Sequence, residues 1–86
     1  SIRDDINFDG IQVFPIGHSI PDNYKIIDEL FIGPYGSNSC DFESVLYQIE
    51  QQTKERGADG FKIIDIKYPT ALNPCYMITA FILEKK

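Results

Sequence analysis

The chain has 86 residues, 13 Asp+Glu against 8 Lys+Arg for a formal charge of −5, two cysteines and no tryptophan. That length accommodates one small domain, since domains typically need about 100–150 residues. The acidic balance excludes nucleic acid, which is bound through a basic surface that displaces counterions from phosphates. No run of about 18 apolar residues is present to span a bilayer, so membrane attachment is expected only through an anchor outside this chain.

Residues 1–10 are polar and acidic, with no period of 2 or 3.6, and read as a leader to a single domain over residues 11–86. The first residue is Ser1 rather than Met, which raises the expectation of a processed product with a signal or lipid anchor removed. Within the leader, Asp5, Asn7, Asp9 and Gly10 match the front half of a calcium loop, in which short oxygen ligands alternate and glycine makes the turn. The twelfth position should be a bidentate Glu and is Ile16, so Asp5, Asn7 and Asp9 are weak metal candidates beside the simpler reading of a solvated acidic segment.

Ile11, Val13 and Phe14 form a short β-prone run stopped by Pro15 and Gly17. A loop of turn formers follows, carrying His18, and residues 24–32 are long and β-branched enough for a second strand. Over residues 41–56 the period changes: Phe42, Val45, Leu46 and Ile49 fall at i, i+3, i+4 and i+7, one apolar stripe on a helix. Gln48, Glu50, Gln51, Lys54 and Glu55 take the wet face. Ser39 or Asp41 suits the helix start and Gly57 the left-handed residue that closes it. Residues 60–68 and 75–83 are β-rich, joined by a Pro/Asn turn. The expected fold is α+β, in the order ββαββ, with one helix on a four-stranded, mostly antiparallel sheet.

Both parities of the last two strands are apolar, whereas one helix covers one face. Phe61, Ile63, Tyr76, Ile78 and Ile82 are therefore expected as an interaction surface, with the amino-terminal segment, another subunit or a partner as its cover.

Cys40 lies just before the helix and Cys75 opens the last strand, so the fold could join them. A bridge closing a loop of about 35 residues is worth roughly 3.5–4 kcal/mol. The alternative is two buried free thiols. No CxxC spacing marks a redox site. His18, the single histidine, would need to adjoin Cys40 or Cys75 for nucleophilic catalysis or for a three-ligand metal site; a surface histidine is the plainer reading. The Gly33-Pro34-Tyr35-Gly36-Ser37 turn before the helix resembles an anion-binding turn but has neither phosphate-loop nor dinucleotide spacing. Asp28, Glu29, Glu43 and Asp65 read as solvated edges, and no catalytic residue or cofactor is expected.

The stretch Glu55-Arg56-Gly57-Ala58-Asp59-Gly60-Phe61-Lys62-Ile63-Ile64, a helix end followed by a Gly-Ala-Asp turn and a buried strand, resembles the same passage of the YbjQ-like proteins, labelled heavy-metal-binding, and of RcsF-type envelope lipoprotein domains. Gly36-Ser37-Asn38-Ser39-Cys40 and Pro74-Cys75-Tyr76 stand where the RcsF-type domains carry one cysteine ahead of the helix and another at the last strand. Tyr24 to Leu30 is similar to the family's strand leading into that loop, so the likeness spans roughly residues 11–84. The second bridge of such domains has no counterpart, Asp65 and its neighbours standing in its place. The resemblance implies a Cys40–Cys75 disulfide and an oxidising home in the cell envelope, periplasmic or attached to the outer membrane. It further implies a non-enzymatic bacterial domain, from a lipoprotein, acting in protein interaction or envelope-stress sensing, with other envelope proteins or a second copy as partner. The alternative is a YbjQ-like homo-oligomer binding a small ligand or metal.

Overall fold

Val45, Leu46 and Ile49 form the buried stripe of a helix, α1 (Phe42–Glu55), as their spacing predicts. The computed structural model describes residues 7–8, 10–33 and 40–86, and in it the strands are β1 (Asn7–Phe8), β2 (Ile11–Phe14), β3 (Tyr24–Ile32), β4 (Gly60–Lys67) and β5 (Met77–Lys85). The four longer strands and the helix follow the expected order ββαββ, and the fold is α+β. The two-residue β1 extends the sheet into the segment read as a leader, pairing antiparallel with Ile11 and Gln12 across a turn in which Gly10 has φ 85°.

The sheet order is β1-β2-β4-β5-β3. β2 pairs parallel with β4, while β5 pairs antiparallel with both β4 and β3. β2 and β3 thus run the same way on opposite sides of the β4–β5 pair, and residues 15–23 must cross both strands between them. Lys62 marks the face that they cross. It is out of phase with the helix-facing Phe61 and Ile63, and its Nζ donates to the Pro15 carbonyl at 2.6 Å; burial there pushes its pKa below 10.5. Phe14 and Tyr24, at the two ends of the crossing, meet edge to face with ring centroids 5.2 Å apart. Leu83, out of phase with the helix-facing Ile82, is fully buried on this face, whereas Ile26 and Phe31 on the edge strand stay exposed.

The helix covers the parity expected as an interaction surface. Phe61, Ile63, Ile78 and Ile82 belong to the main core with Ile11, Val13, Val45, Leu46 and Ile49, and Tyr76 packs half-buried at its margin. The expectation of an interaction face on those five residues is corrected on this point. Period-2 patterning marks two apolar faces but does not say which the helix takes; the crossing of residues 15–23 lies over the second face near Lys62, while Ile26 and Phe31 on that face stay exposed.

Two bulges keep the helix-facing set in phase. The β4–β5 register shifts between Ile63 and Asp65, so Ile66 rather than Asp65 opposes Ile78 on the core side. A second shift between Ile26 and Asp28 turns Asp28 to the helix side of β3, opposite Ile82. An extra residue in one strand of an antiparallel pair has this effect.

The helix start is Asp41, whose Oδ1 accepts from the Ser44 hydroxyl at 2.6 Å; Ser39 lies outside the described residues. At the other end Gly57 has φ 66°. Its amide donates to the Lys54 carbonyl at 2.9 Å and the Ala58 amide to the Thr53 carbonyl at 3.1 Å, which satisfies two end carbonyls in a Schellman closure. Glu50 departs from the expected wet face. It is buried, with Lys54 Nζ 3.6 Å from its carboxylate one turn on.

The Gly57-Ala58-Asp59 turn ties three elements together. Asp59 donates its amide to the Leu83 carbonyl at 2.9 Å, its carbonyl accepts from Gln12 at 3.0 Å, and its carboxylate accepts from the Lys85 amide at 2.8 Å. Gly60, next in sequence, is close-packed: a Cβ there would collide with the Gln12 carbonyl oxygen.

Candidate functional site

Cys40 and Cys75 form a disulfide, with their Cα atoms 4.9 Å apart and a separation of 35 positions in sequence. Cys40 precedes α1 by two residues and Cys75 precedes β5 by two, so the bridge fastens the helix entrance to the start of the last strand. The backbone repeats the link, since the Tyr76 amide donates to the Cys40 carbonyl at 3.0 Å. Extracytoplasmic and other oxidising compartments are where such bridges form and persist.

Beside the bridge, α1 stops short of the sheet's end. The uncovered strip is a recess of about 470 Å³ lined by Pro15, Ile16, Phe42, Ile63, Ile66, Tyr68 and Tyr76. Its parts follow from the register. Ile63 and Ile66 are helix-facing residues of β4 beyond Phe61, Tyr68 continues that parity past the strand, and Tyr76 does so ahead of Ile78 on β5. Three aromatic rings make a wall: Phe42 and Tyr76 meet edge to face at 5.4 Å, and Tyr76 and Tyr68 at 5.7 Å. The wall is wet on one side, with Tyr68 60% and Ile16 51% exposed. Concave apolar sites of about 300–1,000 Å³ are the usual form of small-molecule and side-chain pockets.

The turn between β4 and β5 projects from the same end. Thr70 donates its amide to the Asn73 carbonyl at 2.7 Å and accepts from the Asn73 amide on its hydroxyl at 3.0 Å. The Asn73 side chain then accepts from the Cys75 amide at 3.2 Å. At the tip of this bonded turn Leu72 is 98% exposed.

Of the five residues expected at an interaction surface, Ile63 and Tyr76 line the recess, while Phe61, Ile78 and Ile82 are fully buried beneath the helix. Ile16, Phe42, Ile66 and Tyr68 were not legible as site residues. A signal was present in Tyr68 and Tyr76, aromatic residues placed symmetrically about the turn, but only the length of the helix shows that they remain uncovered.

Of the weak metal candidates, Asp5, Asp9 and the Asn7 side chain lie outside the described residues, and His18 stands on an exposed turn, its amide bonded to the Pro15 carbonyl at 3.1 Å. The anion-like turn after Gly33 also lies outside them. Among the described residues no three of His, Cys, Asp and Glu are grouped to hold a metal ion. Both sulfurs are joined to each other, which removes them as nucleophiles or metal ligands while the bridge stands. Asp28, Glu29, Glu43 and Asp65 are exposed. No helix among the described residues is long and apolar enough to cross a membrane. Comparison of the chain with protein-family models, with curated proteins and with solved structures returns no match.

Proposed function

We propose that the chain is a non-enzymatic binding domain of the bacterial cell envelope, of the RcsF-type lipoprotein class, that takes an apolar or aromatic side chain of another envelope protein into the recess beside Cys40–Cys75. The observation that carries this reading is the join of a disulfide to an open aromatic recess. The bridge supports an oxidising home. The resemblance in the Glu55 to Ile64 passage and in the places of the two cysteines supports the envelope and a part in stress sensing. Aromatic residues in a half-desolvated hollow are the commonest anchors of protein contacts, and Ile16 extends the apolar area at its rim.

A photo-crosslinking residue placed at Tyr68, with Glu43 on the exposed helix face as control, tests the partner. A discrete crosslinked species from position 68 and none from position 43 is expected in the host envelope; equal labelling from both overturns the site. Intact-mass analysis of unreduced chain after alkylation tests the compartment, and two modified thiols would remove its support.

The apolar lining of the recess supports one second reading, a small apolar ligand in place of a partner's side chain. Such a ligand would survive gentle purification and appear in native mass spectra as a fixed mass increment.

A further inference from the structure

Two of the stretches of chain that line the recess are joined by a covalent bond. Phe42 stands two residues beyond Cys40 and Tyr76 one beyond Cys75, and their rings touch at 5.4 Å. Both cysteines lie outside regular structure, each two residues before the element that follows it, and the two aromatic residues beside them pack at the margin of the core. A backbone hydrogen bond, from the Tyr76 N–H to the Cys40 carbonyl, joins the same two segments. The recess floor is different, because Ile63 and Ile66 belong to β4, paired along its length with β5. The deep core is different too: Val45, Ile49, Phe61, Ile78 and Ile82 are all fully buried between helix and sheet. Both cysteines are half-buried rather than sealed in the core.

We propose that the Cys40–Cys75 bridge is a redox gate on the recess, a regulation that rests on the reading of the recess as a binding site. With the bridge closed, the Phe42 wall is held against the Tyr76 and Tyr68 wall. Reduction by a dithiol frees the two walls and abolishes binding, while the core keeps its fold. In the exchange, a thiolate of the dithiol attacks one cysteine sulfur and the Cys40–Cys75 S–S bond breaks, leaving a mixed disulfide and one cysteine thiolate. The second thiol of the reductant then displaces the remaining cysteine. Two electrons pass to Cys40 and Cys75, both end as thiols with protons from the reductant, and the reductant ends as its own disulfide.

The bound state and the bridge are therefore linked. A ligand that binds only the closed form shifts the dithiol–disulfide equilibrium by 1 + [L]/Kd, about 11-fold at a concentration ten times Kd.

Indole is the probe, followed by methyl NMR of the whole chain with and without dithiothreitol. In the oxidised protein, saturable shifts are expected at Ile16, Ile63 and Ile66, with Ile49 and Ile82 unmoved. In the reduced protein, indole binding should weaken at least tenfold, with Ile49 and Ile82 retaining their folded shifts, and the Cys40→Ser, Cys75→Ser double variant should match the reduced chain. Equal indole affinity in both redox states overturns the gate and leaves the recess reading standing. Absence of saturable shifts in the oxidised chain overturns both. Collapse of the Ile49 and Ile82 signals to unfolded positions on reduction also overturns the gate, because the bridge would then hold the whole fold rather than the recess.

Discussion

Asp28 and Arg56 lie 28 residues apart in sequence, and the guanidinium Nε of Arg56 donates to the Asp28 carboxylate at 2.8 Å. The contact ties the edge strand β3 to the end of α1, and it exists because the bulge before Asp28 turns that residue to the helix side. Arg56 also donates to the Gln52 carbonyl and side-chain oxygen, at 3.1 and 2.8 Å, which fixes its fork over the last helical turn.

A pH dependence follows. The Arg56 hydrogen bond, then that from the Glu29 amide, hold the Asp28 carboxyl below its ordinary 3.8. A carboxyl with a depressed folded pKa binds its proton more readily in the unfolded chain. Its contribution is therefore fully present above about pH 4 and is lost as acid carries the folded group through its lowered pKa. Asp28→Asn should lower Tm slightly at neutral pH, less than any core substitution, because the pair is partly exposed. The difference from the parent should close in melts taken below about pH 4 and shrink in high salt.

Gly60→Ala should destabilise by about 1–3 kcal/mol, the cost of forcing atoms into a packed site. The added methyl meets the backbone of Gln12, where β2 and β4 pair in parallel, and a backbone carbonyl in a ladder cannot turn aside as a side chain does. Urea unfolding followed by circular dichroism reads the loss.

Phe61→Ala and Leu72→Ser separate the core from the exposed end. Phe61 is fully buried and Leu72 almost fully exposed. The first should cost about 3–5 kcal/mol and the second less than about 0.5 kcal/mol. An interaction surface at Phe61 would instead give two similarly small losses in the isolated chain.

Replacing Cys40 and Cys75 together by serine should lower stability by about 3.5–4 kcal/mol on the chain-entropy account of a 35-residue loop. For a domain with about 5–15 kcal/mol in total, the variant should remain folded with a much lower urea midpoint. The effect should be absent when parent and variant are compared in reductant.

Much of the fold was legible in the chain because its cues are local. The i, i+3, i+4, i+7 stripe of Phe42, Val45, Leu46 and Ile49 places the helix, Gly57 places its end, and Pro15 and Gly17 stop β2 where the strand ends. The candidate site was legible only in part. Cys40, Cys75 and Tyr76 stood out by type and position. Ile16, Phe42, Ile66 and Tyr68 did not, because what distinguishes them from core residues is the point at which the helix stops covering the sheet.

The sequence by itself determined the class, order and approximate ends of the elements, since periodicity and turn chemistry act over a few residues. It also placed two cysteines where one bridge could staple an 86-residue chain. The tertiary structure alone decided which apolar face the helix takes, and that residues 15–23 cross the other. It decided too that Glu50 is buried, that two bulges keep Ile66 and Asp28 on the helix side, and that an aromatic recess opens beside the bridge. These depend on strand order and register, set by contacts between residues tens of positions apart, for which a one-dimensional pattern holds no direct record.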